Sequence, residues 1–304
     1  MRVRCAVCGV RRWGRGAWGV GRGRLWQGLL YRLTARPPDR LTALTLILLA
    51  TSIAVPATAQ RPGFQPDPPT QVDDEAFGQF NVPYDGRFTF VRLRYTPSRT
   101  GYGGGGGYFG GINFQWDHDY PRADRNFTQM IDEMTGIRAT TEGSNIISVG
   151  DPDLFKYPLA YLVEPGFLTL TDAEADNLGA YLQKGGFLIF DDFSRPPALR
   201  NLMHMLDRIL PGGVLVQLTA QHPIFHSFFD IESLDFRHPY QGYPSVFYGI
   251  HEDNDPNKRL LLIANYNNDI GESWEYSDTD FIPIEISNVA YKLGVNYVMY
   301  SMTH

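Results

Sequence analysis

The residues most suited to chemistry are two adjacent aspartates, Asp191 and Asp192, which directly follow an apolar run at residues 187–190. An unbroken apolar run is typical of a strand that is buried on both faces. Open α/β sheets place their ligands at the carboxyl ends of such strands. The pattern therefore predicts two carboxylates at the edge of a central sheet, where they could bind a cation or exchange protons.

Other polar side chains follow other predicted strands, and the carboxyl ends of parallel strands meet at one edge of a sheet. The set expected at this edge is Glu164, Asp191, Asp192, His222, His226, Asn267, Asn268 and Asp269. The candidates for catalysis are Asp191, Asp192, His222 and Asp269, those for ligand binding are Glu164, Asn267, Asn268 and Trp274, and those for metal binding are Asp192, His222 and His226. Oxygen and imidazole ligands suit a divalent cation, and a carboxylate with a histidine could divide acid and base roles.

Each candidate also has a structural alternative. Asp191 or Asp192 could cap the following helix or pair with Arg195. His222 and His226 could satisfy local backbone groups within an aromatic cluster, and Trp274 could be a core residue. A further histidine, His118, lies between two aspartates and could bind a metal, although a solvated helix entry is the favoured interpretation there.

The periodicity of the chain indicates the elements that position these residues. Strands are predicted at residues 88–95, 159–163, 187–190, 214–218 and 259–264, and helices before residue 136, after Thr171, at 196–210 and at 284–300. Thr171 and Glu174 have the spacing of a capping box. The alternation of strands and helices predicts an α/β fold with a mainly parallel sheet. Residues 265–275 are expected to form a polar loop.

The first 59 residues are typical of an export signal. They contain ten arginines and one acidic residue, followed by an apolar stretch at residues 41–55 and a small-x-small site that ends at Ala59. We expect cleavage near Ala59 and a periplasmic or secreted protein. An uncleaved N-terminal anchor is the alternative, and no other membrane association is expected.

Two glycine- or proline-rich stretches are not expected to belong to the core. Residues 60–86 contain five prolines and predict a flexible linker, which leaves residues 87–304 as the folded domain. Residues 101–111 are mostly glycine, but no Gly-Lys-Ser/Thr sequence follows them, so nucleotide binding is unlikely.

Charge and cysteine content exclude several functions. Beyond residue 59 the chain has 17 basic and 32 acidic residues, a balance of −15, which disfavours nucleic acid as a partner. Both cysteines, Cys5 and Cys8, precede residue 59, and no GxSxG motif is present. Glutaminase activity and hydrolysis by a cysteine or serine nucleophile are therefore disfavoured.

Seven stretches in order resemble one bacterial family, the domain of unknown function 4159, over about residues 87–304. The stretches are FVRLRY, DYPRAD, DPDLFKYPLAYL, YLQKGGFLIFDDF, HPIFHSFFDI, NNDIGESWE and LGVNYVMYSMT. The resemblance implies a three-layer sandwich like that of the class I glutamine amidotransferases, which is flavodoxin-like. It implies no activity and no catalytic residue, because the family itself is uncharacterised.

These observations favour an exported bacterial domain that acts as a non-catalytic ligand-binding or protein-interaction module of the cell envelope. Its partner would be an envelope protein or a small ligand, and a divalent metal could be its cofactor. The alternative is a metal-assisted or acid/base hydrolase of glycan or peptide, which requires Asp192 and His222 to lie within reach of one another. A structural subunit of an envelope complex is a third interpretation.

Overall fold

The fold is organised around a seven-stranded sheet. The structure is a computed structural model, and it describes residues 81–98, 114–237 and 241–304. The strands of the sheet, in spatial order, are β3 (Asn145–Ser148), β1 (Val91–Arg94), β4 (Leu159–Val163), β6 (Phe187–Phe193), β9 (Leu260–Tyr266), β8 (Val246–His251) and β7 (Val216–Gln217). A separate two-stranded antiparallel ribbon pairs β2 (Thr96–Pro97) with β5 (Leu168–Thr169).

The direction of the strands confirms the predicted mainly parallel sheet. Strands β3, β1, β4, β6 and β9 are mutually parallel. Strand β8 is antiparallel to both β9 and β7. The sequence patterns indicated β4 with its observed bounds, but they did not indicate β3 or β8.

Helices cover both faces of the sheet and make three layers, as predicted. Their bounds are α1 Arg122–Met134, α2 Asp172–Gln183, α3 Arg195–Ile209, α4 Ile270–Glu275 and α5 Ile284–Thr303. Leu188 and Phe190 of β6 pack in one core with α2 and α3, whereas Phe187 and Ile189 pack in the other with α1, α4 and α5. This alternation follows from the two-residue repeat of a strand, and it explains why a strand between two layers is apolar at every position.

Local signals set the ends of several elements. The predicted capping box of α2 is present, because the Thr171 hydroxyl accepts a hydrogen bond from Glu174 N and the Glu174 carboxylate accepts one from Thr171 N. Gly294, inside α5, allows a close approach of helices. A Cβ there would lie 2.5 Å from the Phe127 ring and 2.6 Å from the Trp274 ring. Glycine is unfavourable inside a helix, but the packing around position 294 requires it.

Several sequence predictions concern residues outside the described part of the chain. These are the export signal with Cys5 and Cys8, residues 60–80 of the predicted linker, and the glycine run at residues 101–111. Within the remainder of that linker, Asn81 and Val82 exchange hydrogen bonds with Asn145 and Ile146 of β3. Among the helices of residues 81–98, 114–237 and 241–304, none combines the length and apolar character needed to cross a bilayer.

Candidate functional site

Asp191 is a buried anchor at the carboxyl end of the sheet. It is 0% exposed, and it accepts four hydrogen bonds. The donors are Tyr161 Oη (2.7 Å), Asn265 Nδ2 (3.0 Å), Ile270 N (3.0 Å) and Gly271 N (3.1 Å). Burial raises the pKa of Asp191 to about 6, although the bonds from Tyr161 and Asn265 oppose the rise. The carboxylate thus fixes the start of α4 onto β6.

Helix α4 presents further acidic groups above the sheet edge. Asp269 precedes the helix and accepts a hydrogen bond from Glu272 N at 2.8 Å, which caps the helix. Glu272 and Glu275 are three residues apart and therefore lie on one side of the helix. The sequence analysis treated this segment as a polar loop. Its six helical residues depend on the bonds to Asp191, which no local pattern reveals.

A buried arginine holds the loop that contains His118. The Arg92 guanidinium lies in β1 and is completely buried. It binds Asp124 of α1 through Nε at 3.0 Å and Nη2 at 2.5 Å, and its Nη1 donates to the carbonyl oxygens of Trp116 (3.1 Å) and His118 (2.9 Å). Because the guanidinium fork is rigid, these four bonds fix the backbone on both sides of Asp117.

The loop places His118 and Asp119 against Asp192. His118 Nδ1 lies 2.8 Å from Asp192 Oδ2 and 3.3 Å from Asp119 Oδ1, yet the atoms are not aligned as hydrogen bonds. The Asp119 side chain is 1% exposed and that of His118 is 37% exposed, so an ion could reach the cluster past His118.

Neither carboxylate oxygen of Asp119 accepts a hydrogen bond from the described part of the chain. Buried carboxylates ordinarily have such partners, because an isolated buried charge is costly. Burial and then the charge of Asp192 raise the pKa of Asp119 well above its usual range. Its polar neighbours include the His118 ring at 3.3 Å and the carboxyl group of Glu272, and a bound cation would compensate negative charge that these two groups leave unbalanced.

The other acidic groups show the same excess of negative charge. Burial and then the charge of Asp192 raise the pKa of Asp269 well above its usual range and that of Glu164 to about 8. Burial opposes a charged His118, but the neighbouring carboxylates, led by Asp192, outweigh it and raise its pKa to about 10. Two like charges ~4 Å apart repel by about 4 kcal/mol at the effective dielectric near a protein surface. The imidazolium of His118 carries one positive charge and cannot neutralise several carboxylates.

Three carboxylate residues at this edge have an unusual backbone conformation. Asp119, Glu164 and Asp192 have φ angles of 63°, 49° and 51°. Non-glycine residues rarely adopt this left-handed region, and those that do are frequent at binding and catalytic sites. At these three residues the backbone adopts a conformation that costs folding free energy.

The cluster contains the donors of a metal site. Three overlapping sets have ligand atoms within 4.8 Å of one another: His118, Asp119 and Asp192; His118, Asp269 and Glu272; and Asp119, Glu272 and Glu275. Carboxylate oxygens with one imidazole suit Mg²⁺, Mn²⁺ or Zn²⁺. The set shares only Asp192 with the metal ligands proposed from the sequence.

A cavity of about 610 Å³ adjoins the cluster. Glu164 and Asp192 line both the cavity and the cluster, and one carboxylate oxygen of Glu164 is buried without a hydrogen-bond donor. The remaining wall includes Phe167, Phe193 and the exposed Arg195. A ligand in this cavity would therefore contact apolar rings, a cation and the carboxylates next to the cluster.

The prediction that His222 and His226 join this edge was wrong. After β7 the chain reverses, with His222 N donating to Thr219 O, and His222 Nε2 lies 3.1 Å from Nε2 of His251. His251 pairs with Leu260, the first residue of β9, so His222 lies at the amino ends of the parallel strands. A seven-residue strand separates the two edges by about 20 Å. A hydrolase that combines Asp192 with His222 is therefore excluded by distance.

Both histidines have the local roles of the structural alternative. His222 Nδ1 accepts a hydrogen bond from Ile224 N. His226 is exposed and bonds to Asp230 and to the carbonyl oxygen of Ala220. Neither residue belongs to a metal-ligand set in the described part of the chain.

The other residues proposed for ligand binding do not line the cavity beside the cluster. Trp274 is 0% exposed and stacks on Phe127 at a centroid distance of 4.1 Å, so it is a core residue. Asn267 Nδ2 donates to Pro244 O, and Asn268 accepts from Asp269 N. Of the four residues proposed for ligand binding, only Glu164 lines the cavity beside the cluster.

From the sequence, metal binding by His118 was not the favoured interpretation, and Glu272 and Glu275 were not among the candidates. The favoured interpretation of a solvated helix entry is wrong, because Asp117 and Asp119 are 3% and 6% exposed. A usable signal was present in the three-residue spacing of Asp269, Glu272 and Glu275, which is the spacing of one helix face.

Comparison with known proteins agrees with the resemblance seen in the sequence. The family model described as "Domain of unknown function (DUF4159)" matches residues 89–302. No curated protein matches the chain. The match spans the sheet, the described helices up to residue 302 and every residue of the three ligand sets. The chain therefore belongs to the DUF4159 family of domains of unknown function.

Proposed function

We propose that this domain is a divalent-cation-dependent ligand-binding module of the bacterial cell envelope. The cation would be held by His118, Asp119, Asp192 and Asp269, and a ligand would reach it through the cavity beside Glu164. The carrying observation is Asp119, a carboxylate with a 1% exposed side chain and no hydrogen-bond donor on either oxygen. The envelope location rests on the export pattern of residues 1–59.

Metal analysis of the purified protein tests this proposal. The protein is incubated with Mn²⁺, passed over a desalting column and analysed by mass spectrometry of the metal. At least one Mn²⁺ per chain is expected, and Asp119→Asn should lose it. Asp176→Asn, which removes an exposed carboxylate from α2, is the matched control and should retain it. Wild-type protein without bound Mn²⁺ would refute the proposal.

Metal-assisted hydrolysis of glycan or peptide is a second candidate. Glu164 favours it, because burial and the charge of Asp192 raise its pKa to about 8 and its carboxyl group lines the cavity. A carboxylic acid that is protonated near neutral pH can act as a general acid. Aryl glycosides and peptide anilides should then be hydrolysed in the presence of Mn²⁺, and Glu164→Gln should abolish turnover. Absence of turnover in Mn²⁺-loaded protein would leave the binding module alone.

A further inference from the structure

Of the three ligand sets of the acidic cluster, one combines His118, Asp269 and Glu272, and the other two meet at Asp119. The first of these two contains His118, Asp119 and Asp192, and the second contains Asp119, Glu272 and Glu275. Asp119 is the residue common to both. A carboxylate that belongs to two ligand sets can bind one ion through each oxygen.

The orientation of Asp119 supports two separate binding directions. Its Oδ1 lies toward His118, at 3.3 Å from Nδ1. Its Oδ2 lies toward α4, because a Cβ on Gly271 would be 2.5 Å from this oxygen. Both oxygens are buried and accept no hydrogen bond from the described residues. Because residue 271 is a glycine, Asp119 Oδ2 can lie close to the backbone of α4, the helix that contains Glu272 and Glu275.

The ligand sets contain more carboxylates than one divalent cation balances when all of them are ionised. The three ligand sets together contain five carboxylates and one imidazole. One divalent cation would leave three negative charges uncompensated among the ionised carboxylates, whereas two would leave one. Two ions would therefore come closer to balancing the ligand charge than one, and a carboxylate between them would offset part of their mutual repulsion.

We propose that the cluster is a two-cation centre in which Asp119 bridges the ions. The first ion is held by His118, Asp192 and Asp269, and the second by Glu272 and Glu275. This inference rests on the proposed function and adds to it a second site of the same chemistry. Bridging carboxylates are a regular feature of centres whose ions lie ~3.5–4 Å apart.

The test is the number of Mn²⁺ ions bound per chain, measured by calorimetric titration and by the electron paramagnetic resonance spectrum of the loaded protein. Wild-type protein should bind two Mn²⁺ and give the spectrum of an exchange-coupled pair. Glu275→Gln should bind one and give the spectrum of an isolated ion. Glu133→Gln, an exposed substitution in α1, is the matched control and should bind two.

The outcomes separate the two proposals. One Mn²⁺ in wild-type protein, unchanged in Glu275→Gln, would refute the second site and leave the first standing. No bound Mn²⁺ in wild-type protein would refute both. Two ions retained in Glu275→Gln would also overturn the assignment. Glu272→Gln provides a second variant of the same site should Glu275→Gln fail to fold.

Discussion

Asp191 and Asp192 are neighbours in the chain, but they serve different purposes. The Asp191 carboxylate is completely buried and accepts the backbone N–H groups of Ile270 and Gly271. The Asp192 carboxylate lies 2.8 Å from His118 Nδ1 and lines the adjoining cavity. The first holds α4 in place, and the second belongs to the cluster that α4 completes.

Substitution of Asp191 should therefore affect mainly stability, and substitution of Asp192 should affect mainly cation binding. Asp191→Ala leaves four buried donors without an acceptor, and at ~1–3 kcal/mol for an unsatisfied group we expect a loss of about 3–5 kcal/mol in the free energy of unfolding. Asp192→Asn should change stability little and weaken Mn²⁺ binding at least tenfold. Urea denaturation and calorimetry measure the two effects. Equal loss of stability in both variants would contradict this division.

Arg92 should be required for both stability and cation binding. Arg92→Lys removes the fork that binds Asp124 and the carbonyl oxygens of Trp116 and His118. Lysine keeps the charge but cannot make all four bonds, and a buried acceptor left unsatisfied costs ~1–3 kcal/mol, so the midpoint of urea unfolding should fall accordingly. Folded Arg92→Lys should also bind Mn²⁺ more weakly, because His118 is no longer fixed. Arg200→Lys, at an exposed position in α3, is the control and should leave both unchanged.

Cation binding should stabilise the fold, and more so at neutral than at acidic pH. Burial and nearby charges raise the pKa of Asp119 and Asp269, so the stability from these groups is present at low pH and is lost as the pH rises. A bound cation restores this lost stability, and protons compete with the cation for the carboxylates. At 100 times its Kd, Mn²⁺ should add about 2.7 kcal/mol. Differential scanning fluorimetry with Mn²⁺ or EDTA at pH 7.5 and pH 5 tests this. A larger shift at pH 5 would oppose the prediction.

The histidine pair at the other edge should make the fold sensitive to acid. Because His222 Nδ1 accepts from Ile224 N, its Nε2 donates to His251 Nε2, and protonation of either ring removes an acceptor. Burial and then His251 lower the pKa of His222 to about 4. The unfolded chain binds this proton near pH 6.5, so the contribution to stability is present above pH 6.5 and is lost as the pH falls toward 4.

The measurement is the change in Tm between pH 7.5 and pH 5. His222→Asn retains an acceptor for Ile224 N but removes the titrating ring, so its Tm should fall less than that of wild-type protein. His204→Gln removes an exposed histidine of α3 and should behave as wild type. The acidic cluster is unchanged in all three proteins, so its contribution to the change in Tm is the same in each. An identical fall in His222→Asn would show that the pair is not responsible.

The export pattern predicts a specific product. Protein recovered from the envelope of a bacterial host should begin at Gln60, because cleavage is expected after Ala59. Intact-mass spectrometry distinguishes this product from the uncleaved chain. Recovery of the full-length chain from the membrane fraction would favour the anchor instead.

Local signals allowed much of the fold to be predicted. Strand β4 and the capping box of α2 are specified by residues that are close in sequence, so pattern and structure agree. Strand β8 and helix α4 depend on partners far along the chain, β9 and Asp191, and were not predicted. His222 was misplaced because the sequence shows a strand followed by polar residues, but not the turn that reverses the chain.

The residues of the candidate site could be predicted where the direction of a strand alone determines their position. Asp191, Asp192, Glu164 and Asp269 lie at the common edge because three parallel strands, β4, β6 and β9, end there. His118 reaches the same edge only because Arg92 holds the backbone of its loop. An arginine in a strand pattern gives no indication of such a partner.

Anomalous diffraction from crystals soaked in Mn²⁺ tests the central claim most directly, because it locates the ion. We predict a peak within about 2.0–2.3 Å of an Asp119 carboxylate oxygen, with His118 and Asp192 as further ligands. A fully soaked crystal without a peak at the cluster, or with Mn²⁺ only at other positions, would contradict the claim that Asp119 is a cation ligand.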